Sequence, residues 1–137
     1  MSQNHSKNIE NPINKKVLNA VLPLLFHLVE VDGKVTKEET ELIGKFIKDL
    51  PKEGISEEEV VDFMNNKNSI LENNSTTYIE NALKILDKDE QLDCLKILIL
   101  ASLIDQEFDI SEADLLLDVS EAFGFELEKV LADVTKA

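Results

Sequence analysis

Apolar positions along this chain recur every three or four residues, and nowhere does a strand-like alternation persist. From Ile13 to Val31 the set Val17, Leu18, Val21, Leu22, Leu25, Leu28 and Val29 marks one helix, with Asn11 as cap and Pro12 in its first turn. Pro23 falls inside it and is expected to kink or split it, because proline removes a backbone donor and crowds the preceding turn. Thr36 followed by Glu39 opens a second helix, whose stripe is Leu42, Ile43, Phe46, Ile47 and Leu50 and whose end is set by Pro51 and Gly54. Ser56 and Glu59 repeat that capping pattern for a short helix to about Met64; residues 65–75 are polar and turn-rich. Tyr78 to Leu86 reads as a helix with Tyr78, Ala82, Leu83 and Leu86 inward, and Asp89 caps a strongly apolar helix to Ile104. Ser111 with Asp114 opens the next, Gly124 stops it, and Glu126 to Val134 forms the last. The predicted fold is all-α, about seven helices joined by short connections. A disordered arm over residues 1–11 precedes one domain over residues 12–137.

The pattern also repeats. EVDGKVTKEETEL (30–42) aligns on DQEFDISEADLLL (105–117), so that Glu30 meets Asp105, Thr36 meets Ser111 and Glu39 meets Asp114. The preceding helices match as well: Leu22 with Ile97, Leu25 with Leu100, Leu28 with Leu103, Val29 with Ile104. Each half therefore holds an apolar helix, an acidic turn and a capped amphipathic helix. This pseudo-twofold repeat is expected to place the two most apolar helices at the centre.

Charge narrows the possible partners. The 28 acids outnumber the 14 bases, all of them lysine, for a net charge of −14. Phosphate-backbone binding needs cations, usually arginine forks, so no nucleic acid partner is expected. The same field repels an anionic membrane surface and attracts metal cations and basic protein surfaces. The first eleven residues are polar and the longest apolar run, Ile97 to Ile104, is far shorter than a membrane span. A cytoplasmic chain is expected, as a monomer or weak homodimer. Cys94 is the single cysteine, which excludes an internal disulfide and a thiolate metal cluster.

The turn VEVDGKVTKEE (29–39) admits two readings. Over a twelve-residue calcium loop, Glu30, Asp32 and Glu39 fall on positions 3, 5 and 12, and Gly33 on the turn glycine. Position 1, however, is Leu28, and Leu103 in the second copy; both are assigned to the core-facing stripe, and Phe108 replaces the second glycine. Neither turn is a working EF-hand. The structural reading makes Thr36 and Glu39 a reciprocal cap, Gly33 a left-handed helix stop and Val35 a staple. It leaves Glu30 and Asp105 unexplained, since a carboxylate at the negative end of a helix costs about 0.3–1 kcal/mol. A bound cation reverses that sign.

The motif Asp32-Gly33-Lys34-Val35-Thr36-Lys37-Glu38-Glu39, after a helix ending in an acid and repeated more loosely over Glu107 to Asp114, resembles the TerB-like tellurite-resistance family. The resemblance covers about residues 13–135. It implies an all-helical fold with pseudo-symmetric halves, occurring in bacterial stress and tellurite-resistance proteins. It further implies a divalent-metal role for the acids of the turns: Glu30, Asp32 and Glu39 in the first, and Asp105, Glu107, Asp109 and Asp114 in the second. Gln106 and Phe108 depart from the pattern of the second turn.

Catalytic chemistry is not foreseen. No phosphate-cradling glycine motif exists, His27 lies in the apolar run LLFHLVE as a packing histidine, and Cys94 lies on an apolar helix face. The expectation is a non-enzymatic module binding Ca²⁺ or Mg²⁺ through its acids. The alternative is a metal-free acidic domain that holds a protein partner with a basic surface.

Overall fold

A computed structural model describes residues 12–30, 35–104 and 110–135. The disordered arm expected over residues 1–11, and the left-handed stop expected at Gly33, lie outside them. Asn14, not Asn11, caps the first helix: its Oδ1 accepts from the Val17 amide at 3.0 Å, and α1 runs Lys15–Val29. Pro12 and Ile13 precede the helix. Ile13 instead donates from its amide to the Pro51 carbonyl (2.8 Å) and accepts from the Glu53 amide (3.0 Å), a one-residue parallel bridge to Lys52.

Pro23 does not split α1, which is continuous across it. The energetics explain why. A mid-helix proline costs about 3 kcal/mol, whereas Leu22, Leu24, Leu25 and Phe26 beside it are all fully buried, each worth about 1.5–3 kcal/mol.

Seven further helices follow among the described residues: α2 (Lys37–Asp49), α3 (Glu57–Asn65), α4 (Lys67–Leu71), α5 (Ser75–Ile85), α6 (Lys88–Ile104), α7 (Ile110–Phe123) and α8 (Leu127–Thr135). The count exceeds seven because α4 occupies the stretch read as turn. The all-α class holds, and α1 packs most closely against α6, as the repeat suggests. α6 buries Cys94, Leu95, Ile97, Leu98, Ile99 and Leu100 on all its sides, which is the signature of a central helix. α5 and α4 cover α1, α7 and α8 cover α6, and α3 packs on α2.

Several local expectations shift by a residue or a face. Asp87 rather than Asp89 caps α6: its Oδ1 accepts from the Glu90 amide (2.9 Å) while Glu90 Oε1 accepts from the Asp87 amide (3.0 Å). α7 begins at Ile110, so Ser111 is already helical and not its cap. In α5 Ile79 and Ala82 are buried and Tyr78 packs half-buried on the core, with Leu86 just beyond, while Leu83 is 39% exposed. Leu103, read as core-facing, is 43% exposed, although its counterpart Leu28 is buried. Gly124 does stop α7: with φ +80° it lets the Phe125 amide reach the Ser120 carbonyl (2.8 Å) and its own amide reach that of Glu121 (3.2 Å), a Schellman turn.

Candidate functional site: the carboxyl end of α1

The first acidic turn is framed by two described ends. On its far side Thr36 Oγ1 accepts from the Glu39 amide (3.1 Å) and Glu39 Oε1 accepts from the Thr36 amide (2.8 Å), the reciprocal box read from the sequence. Val35 packs against the core as a staple does. Glu39 thus has a structural task, with its second oxygen outside that box.

On the near side Glu30 is the last residue of the α1 hydrogen-bond ladder, its amide donating to the Phe26 carbonyl at 3.0 Å. Its carboxylate stands at the negative end of the helix. Oε1 lies 4.0 Å from His27 Nδ1, one turn back on the same face. Oε2 is buried and, among the described residues, has no hydrogen-bond partner, and the same is true of His27 Nε2. A buried acceptor or donor left unmade costs about 1–3 kcal/mol, more when charged, so two on one face of one turn is an unbalanced arrangement. Tyr78 borders it, its ring centroid 5.7 Å from that of His27, with its hydroxyl donating to the Ile70 carbonyl (3.0 Å) and accepting from Asn73 Nδ2 (3.2 Å).

The other acids stand as follows. Asp114 is exposed in the first half of α7. Asp32, Asp105, Glu107 and Asp109 lie outside the described residues. Among the described residues no three His, Cys, Asp or Glu side chains gather to hold an ion. A divalent cation at Glu30 would supply a partner for a buried carboxylate oxygen and would offset the helix dipole. What the sequence reading passed over is His27 beside Glu30. The signal was the H-x-x-E spacing, since residues three apart share a helix face.

Two features elsewhere carry less chemistry. A groove of about 470 Å³ between α2 and α3 has Gly44, Ile55, Val60, Val61 and Met64 along it, with Lys48, Lys52 and Glu57 on its wall; Val61 is 55% exposed. Lys52 is not free there. Its Nζ donates to the carbonyls of Ile47 (2.7 Å), Lys48 (3.0 Å) and Leu50 (3.1 Å), closing the end of α2. Burial lowers its pKa from the ordinary lysine value, against the opposing pull of Asp49 and Glu57. Cys94 is enclosed, and burial pushes its thiol far up, with the Asp93 charge adding to it.

Among the described residues no helix is long and apolar enough to cross a membrane. A family model described as tellurite resistance protein TerB matches residues 18–132. Neither a curated protein nor a solved structure matches the chain at a significant level.

Proposed function

The chain belongs to the TerB tellurite-resistance family, and on that premise we propose that it is a non-enzymatic module binding a divalent cation at the acidic turn after α1. The observation that supports this reading is Glu30 Oε2, a carboxylate oxygen buried without a partner among the described residues at a helix's negative end. Folding stability alone gives no reason to place it there. An oxygen ligand set of this kind suits Ca²⁺ or Mg²⁺. Asp32 and Glu39 complete the first-turn set in the sequence, and Asp105, Glu107, Asp109 and Asp114 form the second.

Calorimetric titration of the metal-stripped protein tests this. Ca²⁺, Mg²⁺ or Mn²⁺ is expected to bind at or below millimolar concentration, and Glu30→Gln and Asp32→Asn are expected to weaken it. Absence of heat from all three ions, with the fold intact by circular dichroism, overturns it.

The alternative, a metal-free domain holding a basic protein partner, draws on the net charge of −14. The α2–α3 groove helps it less than the charge does, because Lys48 and Lys52 stand on its wall against a single acid, Glu57. The triple-acid first turn of α3, Glu57 to Glu59, is the better basic-partner contact. A pull-down sensitive to salt and indifferent to chelator is its expected signature.

A further inference from the structure

We infer that the α2–α3 groove is a docking site for an amphipathic helix of a partner protein, whose apolar stripe is flanked by a carboxylate that meets Lys48. The groove shares no residue with the acidic turn, so failure of the cation reading leaves this one untouched. Three observations carry it. The first is Gly44. Glycine inside a helix is destabilising relative to alanine, and this fold does not require one there: within 4 Å, a Cβ built at Gly44 meets only Met64 Cε, at an ordinary 4.0 Å. What the missing side chain does provide is a floor that a second backbone can approach closely.

The second is α3, which buries none of its residues fully. Val60 and Met64 are partly covered, and Val61 is 55% exposed. Gly44 and Lys48 stand at i, i+4 on α2; Glu57, Val60, Val61 and Met64 stand at i, i+3, i+4 and i+7 on α3. Two helical ridges with a trough between them receive the ridge of a third helix. The third observation is charge. In a chain of 28 acids and 14 lysines the groove inverts the balance, with Lys48 and Lys52 against Glu57 alone. Lys52 is committed to three carbonyls at the end of α2. Lys48 is exposed and, among the described residues, in no ion pair. The occupant therefore brings an acid to Lys48 at one edge of its apolar stripe. The net charge of −14 repels a partner that is acidic throughout, so that carboxylate is local and the helix as a whole is neutral or basic.

The test titrates the full chain with two synthetic helical peptides of identical composition, about four turns long, each with leucines at i, i+4 and i+7. One carries glutamate beside the leucine stripe and lysine on its outward face; the other has the two exchanged. Fluorescence polarisation gives affinity and backbone amide shifts give the place. The first peptide is expected to bind about fivefold or more tighter than its isomer, with shifts centred on Gly44, Val60 and Val61. Lys48→Glu is expected to reverse that preference. Gly44→Ala is expected to raise the Tm by about 2–4 °C and to weaken the first peptide, two opposite movements that a purely structural glycine does not produce. Equal binding of the isomers, shifts elsewhere, or no binding at about 1 mM overturns the inference. So does sedimentation that shows a dimer closed through Val61, which makes a second copy of this chain the occupant. If Gly44→Ala does not fold, the isomer preference and its reversal by Lys48→Glu decide alone.

Discussion

Asn14 and Glu90, 76 positions apart, lock the starts of the two central helices to each other. Asn14 caps α1 through Oδ1 and donates from Nδ2 to Glu90 Oε2 at 2.9 Å; Glu90 completes the α6 cap and also accepts from Lys16 Nζ at 3.1 Å. Two local caps have become one tertiary contact. Burial pushes the Glu90 carboxyl up, but the hydrogen bonds from Asn14, the Asp87 amide and Lys16, with the Lys16 charge, outweigh it and hold the pKa below the usual value.

The pH dependence follows from that sign. A carboxyl whose pKa is lower in the folded state stabilises fully above its unfolded pKa, about 4.3, and loses that contribution as pH falls through the folded value. Glu90→Gln keeps an acceptor but not the charge, so it is expected to cost about 1 kcal/mol near neutral pH. The gap to wild type is expected to close below pH ~4. Urea unfolding of both proteins at pH 7 and pH 3 checks it; a gap equal at both pH values contradicts the assignment.

Gly124→Ala is expected to destabilise by about 1–2 kcal/mol, the cost of a left-handed conformation for an L side chain. The added Cβ also comes to 3.0 Å from Lys88 Nζ, which donates to the Phe123 carbonyl and lies 4.6 Å from the centroid of the Phe125 ring. Thermal melts with Lys88→Ala as second variant separate the two causes. If steric pressure contributes, the double variant loses less than the sum of the singles.

Thr36→Ala is expected to cost about 0.5–2 kcal/mol through loss of the cap. Glu39→Gln retains an acceptor for the Thr36 amide and is expected to be neutral in stability. If Glu39 also serves an ion, the same variant weakens Ca²⁺ binding in calorimetry. The pair therefore distinguishes a capping residue from a capping residue that is also a ligand.

Cys94 is expected to resist a disulfide-exchange reagent in the native protein, because burial keeps it a thiol. Its labelling rate should follow global unfolding, rising with denaturant in step with loss of helical signal. Fast labelling without denaturant contradicts a closed α6 core.

The sequence was most readable where one residue performs one local task. Thr36 with Glu39, Gly124, and the burial of α6 all follow from spacing. Errors arose where distant parts of the chain intervene. Asn11 offers the same capping chemistry in the sequence, but Asn14 is the residue that also meets Glu90. Ser56 with Glu59 looks like a reciprocal box; Ser56 does accept from the Glu59 amide at 3.2 Å, yet the Glu59 carboxylate pairs with Lys15 of α1 at 3.2 Å. Leu83 and Leu103 fit their apolar stripes, but their positions reach the edge of the bundle, where no helix covers them fully. At the site, acid content pointed to Glu30 and the turn. His27 reads as a packing histidine because its neighbours are apolar, and the structure does bury it; its approach to Glu30 is what composition does not write.

The double hydrogen bond at Ile13 has a mechanical consequence. It ties the chain just ahead of α1 to the connection leaving α2, closing residues 13–53 into a ring. Tension applied at Pro12 is thus shared with the approach to α3 before any turn of α1 unwinds. Pulled from that end, the protein should yield first at these two bonds, in one small step that precedes rupture of the helices.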